Sequence, residues 1–344
     1  MRDQPIPFSR REAVVGGASM LAAPIALSLA GTALAQEGHP ARGATAAQPQ
    51  QPAQPPQGLK DPRTTYPKPP FPKQTQERPG LASKMNPVPD HGEKTYHGSG
   101  KLLGRRALVT GGDSGIGRAA AIAYAREGAD VAINYLPQEE SDAKEVIALI
   151  KEAGRKGVAI PGDIRDEAFC AQLVDRAASE LGGLDIVVNN AGMQMFVESL
   201  EDVTSENFDS TFKTNVYAPF WITKAALKHL KPGSCVIVTS SILGYDPSPG
   251  LVDYSMTKAC NVSFVKSLSK QLVPKGIRVN GVAPGPIWTP LQSSGGQDPE
   301  KLPEFGGDTP FGRPGQPAEL AATYVLLASD DSAYVSGEVH GVTG

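Results

Sequence analysis

The chain of 344 residues carries 33 Lys and Arg against 36 Asp and Glu, a formal net charge of −3. With 40% hydrophobic and 20% charged residues it has a globular composition, which excludes wholesale disorder and collagen-like repeats. The even charge balance leaves no electrostatic footprint for nucleic acid. Cys170, Cys235 and Cys260 are too scattered for a disulfide framework, and the histidines show no ligand spacing, so metal chemistry is not expected.

The first element reads as an export signal over 1–35. Ser9-Arg10-Arg11 precedes an uncharged run from Ala13 that closes on Ala33-Leu34-Ala35, where small residues suit cleavage after Ala35. The adjacent arginines resemble a twin-arginine signal, although Ala13 stands where Phe is usual. The expectation is a periplasmic protein without stable membrane insertion after cleavage, with a cytoplasmic location as the alternative. Residues 36–58, crowded with Pro, Gln and Ala, cannot bury enough apolar surface to offset their ordering entropy and read as a tether. Residues 59–100 hold Tyr66, Phe71, Leu81, Met85 and Tyr96 among further prolines. They are either an irregular arm pinned to the body or to a neighbouring subunit, or a plain linker.

Over 101–344 short apolar runs alternate with longer segments of helical period. Strands are expected at Ala107–Thr110, Val131–Asn134, Val158–Ile160, Ile186–Val188, Ser234–Ser241, Ile277–Val279 and Glu338–Val342. Helices are expected at Ile116–Arg126, Glu139–Ala153, Glu167–Leu181, Ser205–Leu230, Asp253–Val273 and Pro317–Ser329. Continuous apolar strands alternating with helices mean an α/β fold: a doubly wound (Rossmann) parallel sheet of about seven strands with helices on both faces.

The first strand runs into Thr110-Gly111-Gly112-Asp113-Ser114-Gly115-Ile116-Gly117-Arg118 and then a helix. Glycines let a pyrophosphate approach the backbone, and the helix N-terminus offers free N–H groups and a positive dipole end. Gly111, Asp113, Ser114, Gly115, Ile116, Gly117 and Arg118 are therefore candidate cofactor contacts. A tight turn needing positive φ is the plainer alternative.

Tyr254 and Lys258, four residues apart on an expected helix, share one face. A free tyrosine has a pKa of about 10, and a nearby cation favours phenolate. Ser241, thirteen residues ahead of Tyr254, sits where a doubly wound sheet places ligands, and its hydroxyl could steady a developing oxyanion. Thr239 and Ser240 compete for that role on composition.

Taken together, Thr110–Gly117, Asn189-Asn190-Ala191-Gly192, Tyr254-Ser-Met-Thr-Lys258 and Val282-Ala-Pro284-Gly285 resemble the short-chain dehydrogenase/reductase family over about 101–344. Pro-Asp-His-Gly-Glu (89–93), Tyr-Leu-Pro (135–137) and Gly-Pro-Ile-Trp-Thr (285–289) resemble its uncharacterised and general-stress oxidoreductases. The resemblance selects Ser241 through Ser241-Ile-Leu-Gly244. It implies a proton relay of Asn215, Ser241, Tyr254 and Lys258, in which Asn215 opens its helix and holds a water. It also implies that Lys258 holds the nicotinamide ribose, Asn190 touches the adenosine ribose and Gly192 allows close approach after Ala191. Asp163, followed by Ile164, would accept from the adenine amine, and Pro284, Gly285, Ile287 and Thr289 would line the nicotinamide. After the second strand, Asn134 and Tyr135 replace the acid that would bind a ribose 2′-hydroxyl, so the preferred cofactor is NADP, with Asn134 and Arg118 coordinating its phosphate, or else NAD.

The expected reaction interconverts a carbonyl and an alcohol, with a small aldehyde or ketone as partner. Met193, Ile242, Tyr245, Pro286 and Trp288 would line an apolar pocket under a mobile lid, Thr289–Gly312, with no cationic anchor. Helices 205–230 and 253–273 would build a homodimer or homotetramer. The rival reading is a scaffold or sensor that binds NAD(P) without turnover.

Overall fold

The structure, a computed structural model, describes residues 58–344; the expected signal over 1–35 and the tether save Gly58 lie outside the described residues. Its seven strands are β1 (Arg106–Thr110), β2 (Asp130–Tyr135), β3 (Gly157–Pro161), β4 (Ile186–Asn189), β5 (Cys235–Thr239), β6 (Arg278–Pro284) and β7 (Val339–Val342). They form one parallel sheet in the order β3-β2-β1-β4-β5-β6-β7. The helices are α1 (Gly115–Arg126), α2 (Glu140–Glu152), α3 (Glu167–Leu181), α4 (Ser205–Phe212), α5 (Ala218–Ala226), α6 (Val252–Leu272) and α7 (Ala318–Ala328). The expected doubly wound α/β sheet is what the chain forms.

Successive side chains of a strand face opposite sides, so each central strand feeds two cores. Ala107 and Val109 of β1 pack with Tyr124, Val146 and Tyr324 of α1, α2 and α7. Leu108 packs on the other face with Leu173, Ile222 and Val265 of α3, α5 and α6.

Three elements differ from the sequence reading. The β6 strand extends to Pro284, five residues beyond its apolar run, through Asn280 and Gly281. The side chain of Asn280 is satisfied by the Val335 carbonyl at 2.8 Å and the Glu338 amide at 3.2 Å, and Gly281 lets Val339 of β7 pack close. The β5 strand stops at Thr239, and Ser241 instead caps a short turn by accepting from the Leu243 amide. The long helix is divided by a π-turn at Lys213–Tyr217 and its regular part ends at Ala226 rather than Leu230.

The segment 59–100 is irregular, and it is docked. Phe71 stacks on Trp288 with ring centroids 4.3 Å apart, and both are buried with Met85 and Leu302. The Trp288 indole donates to the Pro87 carbonyl at 2.8 Å, and the buried Asp142 of α2 accepts from the Ala82 amide at 2.7 Å. The segment 89–93 is a clasp: Glu93 accepts from Arg118, the Gly92 and Tyr96 carbonyls accept from Arg126, and Asp90 accepts from Tyr66. With His91 and Arg118 beside it, Glu93 is held down at about 2 despite partial burial.

Candidate active site

The strand order reverses between β1 and β4, the position at which open α/β sheets carry ligands. The two strand ends are stitched together there. The Thr110 hydroxyl accepts from the Asn190 and Ala191 amides at 3.0 and 3.1 Å, and the Asn190 amide group donates to the Thr110 and Gly111 carbonyls, both at 3.2 Å. Above them opens a cavity of about 1150 Å³ that runs from Tyr135 and Glu139, past the glycine turn, to Ser241, Tyr254 and the 284–297 segment.

The glycine turn is built for close approach. Gly111 and Gly115 hold φ of +60° and +51°, a region that a Cβ disfavours. A Cβ on Gly117 would lie 1.9 Å from the Gly111 carbonyl oxygen. The first amides of α1 lack intrahelical acceptors, and no acidic side chain lies in its first turn to compete for them. A cradle of bare backbone at a helix N-terminus, inside a cavity of this volume, fits a pyrophosphate-bearing dinucleotide.

At the other end Ser241, Tyr254 and Lys258 are all buried and all line the cavity. The Lys258 ammonium lies 5.2 Å from the Tyr254 ring centroid and donates to the Thr239 carbonyl at 2.9 Å. Burial pushes the phenol up to about 12, and a hydrogen bond with Ser241 pulls the other way. Burial also pulls Lys258 down to about 8, so it stays mostly charged at neutral pH. The three hydroxyls differ in their partners. Ser240 donates backwards to the Lys258 carbonyl at 2.8 Å, and Thr239 pairs with the Tyr324 hydroxyl at 2.6 Å. Ser241 alone of the three faces Tyr254. Gly244 is needed because a Cβ there would meet the Lys258 carbonyl at 2.9 Å.

Asn215 sits within the π-turn, where the regular carbonyl-to-amide ladder of the helix is interrupted. Its side chain accepts from the Met193 amide at 2.7 Å and donates to the Met193 carbonyl at 2.8 Å and to Thr257 at 3.0 Å. It therefore fixes the strand-end loop beside Gly192 and stands behind the cavity wall.

Of the remaining expected contacts, Asp113, Ser114, Ile116, Asn134, Tyr135, Asp163, Ile164, Asn190, Ala191, Gly192, Pro284, Gly285, Ile287 and Thr289 do line the cavity. Several are committed elsewhere. The Asn134 amide donates to the Ile160 and Gly162 carbonyls, both at 3.1 Å, and Tyr135 donates to Glu140. The Asp163 carboxylate is paired with Arg165 at 2.6 Å, and the Asn190 amide is spent on the β1 loop.

Arg118 requires a correction: it is buried on α1 between Glu93 and Glu145, both at 3.0 Å, and does not line the cavity. With Asn134 also engaged, the expected pair of phosphate ligands is not assembled. The expected apolar lining is corrected too. Met193, Ile242 and Pro286 face the cavity, but Tyr245 is exposed and Trp288 lies under the docked segment. Nor is Thr289–Gly312 free. The Gln76 amide donates to the Ser293 carbonyl at 2.9 Å, Arg78 to the Ser294 carbonyl at 2.7 Å and the Phe71 amide to the Pro303 carbonyl at 2.7 Å.

Sequence reasoning missed Asp113's company and Arg78. Burial and the nearby Glu139 raise the Asp113 carboxyl well above the usual carboxylate range, one of its oxygens has no partner among the described residues, and burial lifts Glu139 to about 7. An acid in the glycine turn was visible in the sequence; the approach of Glu139, the residue just before α2, was not.

Residues 111–344 match the family model described as enoyl-(acyl carrier protein) reductase. The chain is 60% identical over 277 residues to the uncharacterized oxidoreductase YhxD of Bacillus subtilis, covering 80% of this chain and 93% of that one. It is 42% identical over 268 residues to the NADPH-dependent aldehyde reductase 1, chloroplastic, of Arabidopsis thaliana, covering 76% and 93%. Among solved structures it resembles a short chain dehydrogenase from Burkholderia cenocepacia in complex with NADP, with a TM-score of 0.67 and 35% identity over 71% of this chain and 98% of that one.

Proposed function

The chain belongs to the short-chain dehydrogenase/reductase family of oxidoreductases, and on that premise we propose that it reduces a small aldehyde or ketone to the alcohol with NADPH, or runs the reverse reaction with NADP, NAD serving as the second cofactor. The observation that carries this reading is the buried Ser241–Tyr254–Lys258 group, which shares one cavity with the glycine cradle.

The pyrophosphate would lie on Gly111, Ser114, Gly115 and the α1 amides, with Gly117 keeping the turn tight behind it, and the nicotinamide end beside Ile287 and Thr289. When bound, the reduced nicotinamide supplies a hydride. Everything else is done by side chains. A phenol held near 12 is fully protonated at neutral pH, which is the state a proton donor to a carbonyl oxygen needs. Ser241 donates to the same oxygen and steadies its developing negative charge. The Lys258 ammonium stabilises the phenolate that remains, and being one helical turn from Tyr254 it does so without rearrangement. Asn215 acts by position: it locks the 190–193 loop and leaves the π-turn backbone open to a relaying water.

Exposed apolar side chains on α4, α5, their junction and the residue after α5, Phe208, Tyr217, Phe220 and Leu227, support a homodimer or homotetramer built on these helices. The twin arginines and Ala33-Leu34-Ala35 support export, which fractionation with N-terminal sequencing of the mature protein tests. Steady-state consumption of NADPH and NADH over a panel of aldehydes and ketones tests the reaction. Tight cofactor binding without turnover across that panel would favour the scaffold instead.

A further inference from the structure

We infer that the docked N-terminal segment completes the substrate end of the cavity with a cation, Arg78, and that the preferred substrate carries an anionic group, a carboxylate or a phosphate, away from its carbonyl. This rests on the carbonyl-reductase reading of the same cavity. Arg78, Pro79 and Gly80 line the cavity although they lie far from the other lining residues in sequence. They are fitted to it. Gly80 is so close to Pro290 and Ser294 that a Cβ would meet them at 3.0 to 3.2 Å, and the Arg78 Nε donates to the Ser294 carbonyl at 2.7 Å. Nη2 lies against Gly295, whose own Cβ would fall 2.6 Å from it. One edge of the guanidinium is thus anchored on the backbone, which aims the group while leaving donors for a ligand.

Four cations line this cavity, and three are spoken for. Arg165 is paired with Asp163 at 2.6 Å and Lys301 with Asp298 at 3.7 Å, while Lys258 stands beside Tyr254. Arg78 has no carboxylate within ion-pairing distance among the described residues. The Gly295 carbonyl, beside Nη2, accepts from the Phe196 amide at 2.9 Å, and the next amide, Val197, donates at 3.0 Å to the Gly250 carbonyl just ahead of α6 and Tyr254, which puts the guanidinium on the side of the cavity where the carbonyl would react. Arg78 is an exposed residue at the cavity mouth. A substrate carbonyl directed at Tyr254 would therefore leave its far end near this group, and a planar fork of N–H donors binds carboxylate or phosphate there.

The test uses the full chain and matched probes: succinic semialdehyde against butanal, and glyceraldehyde phosphate against glyceraldehyde. Replacing a charged hydrogen-bond partner should raise KM for the anionic member about 10- to 100-fold more than for its neutral partner in Arg78→Ala. Arg78→Lys should recover part of that selectivity. The better of the two anionic probes identifies carboxylate or phosphate as the group read. Binding of succinate to the NADPH complex, followed by calorimetry, gives a readout free of turnover and should weaken by a similar factor in Arg78→Ala. Equal losses for both members of each pair, or an NADPH complex weakened in Arg78→Ala, overturn the inference. Arg78-dependent succinate binding without reduction of any aldehyde would uphold the anion site and sink the carbonyl reading instead.

Discussion

The two ends of the cavity are held by different means. At the glycine turn, function is written in backbone: positive φ at Gly111 and Gly115, bare Cα atoms and the amides of α1. At the substrate end the wall is a segment from 290 to 305 strapped down by residues 71 to 87, through a stack of Phe71 on Trp288 and a few long-range hydrogen bonds. The first end depends on conformations that few residues can adopt, and the second on partners that must find each other across some 200 residues. The first should therefore fail abruptly on substitution, and the second should loosen by degrees.

The largest effect is expected at Gly117. Gly117→Ala places a methyl 1.9 Å from a backbone oxygen that cannot move without opening the turn, so cofactor titration by fluorescence should show binding lost. Gly341→Ala, on β7 and outside the cavity, is the control: its Cβ would have nothing nearer than 3.7 Å, and an effect as severe as that of Gly117 would break the distinction.

Next comes Lys258→Met, expected to slow reduction about 10²-fold or more by removing the charge that stabilises the phenolate. In the wild type the ammonium is present below about 8 and lost above it, so the reduction rate should fall as pH rises through that value. The variant should lack this limb.

At the other end Trp288→Ala should cost about 3–5 kcal/mol by emptying the space under Phe71. Denaturant unfolding measures the loss, and limited proteolysis near residues 71–87 shows whether the strap releases first. Retained protection there would contradict the strap.

The smallest effect concerns cofactor choice. Glu139 is neutral below about 7 and an anion above it, beside the cavity end where β2 finishes. Its charge repels a 2′-phosphate and not a hydroxyl. Affinity for NADP relative to NAD should then fall a few-fold as pH rises through that value, and Glu139→Gln should flatten the trend.

This division also explains what could be read from the chain alone. The sheet, most helix limits and the Tyr254 and Lys258 pair follow from local pattern: apolar runs, helical period, glycine spacing and a four-residue step on one helix face. Ser241 was chosen over Thr239 and Ser240 by the family resemblance. The engagement of Arg118 with Glu93, of Asn134 with the β3 end and of Trp288 with Phe71 depends on tertiary partners, and nothing local to those residues announces it. The end of β6 was hidden because the apolar run stops at the polar Asn280, although Asn280 is satisfied by the chain before β7. Asn215 is the intermediate case: an asparagine within a long helix hinted at an irregularity, and the π-turn is there, but its bonds to Met193 could not be foreseen.

The central claim is that Tyr254 gives the proton to the substrate oxygen. Single-turnover oxidation of bound NADPH by an aldehyde, in the wild type and in Tyr254→Phe, tests it most directly. The account predicts that the variant still binds NADPH yet reacts about 10²- to 10⁴-fold more slowly; a rate within a few-fold of the wild type would contradict it.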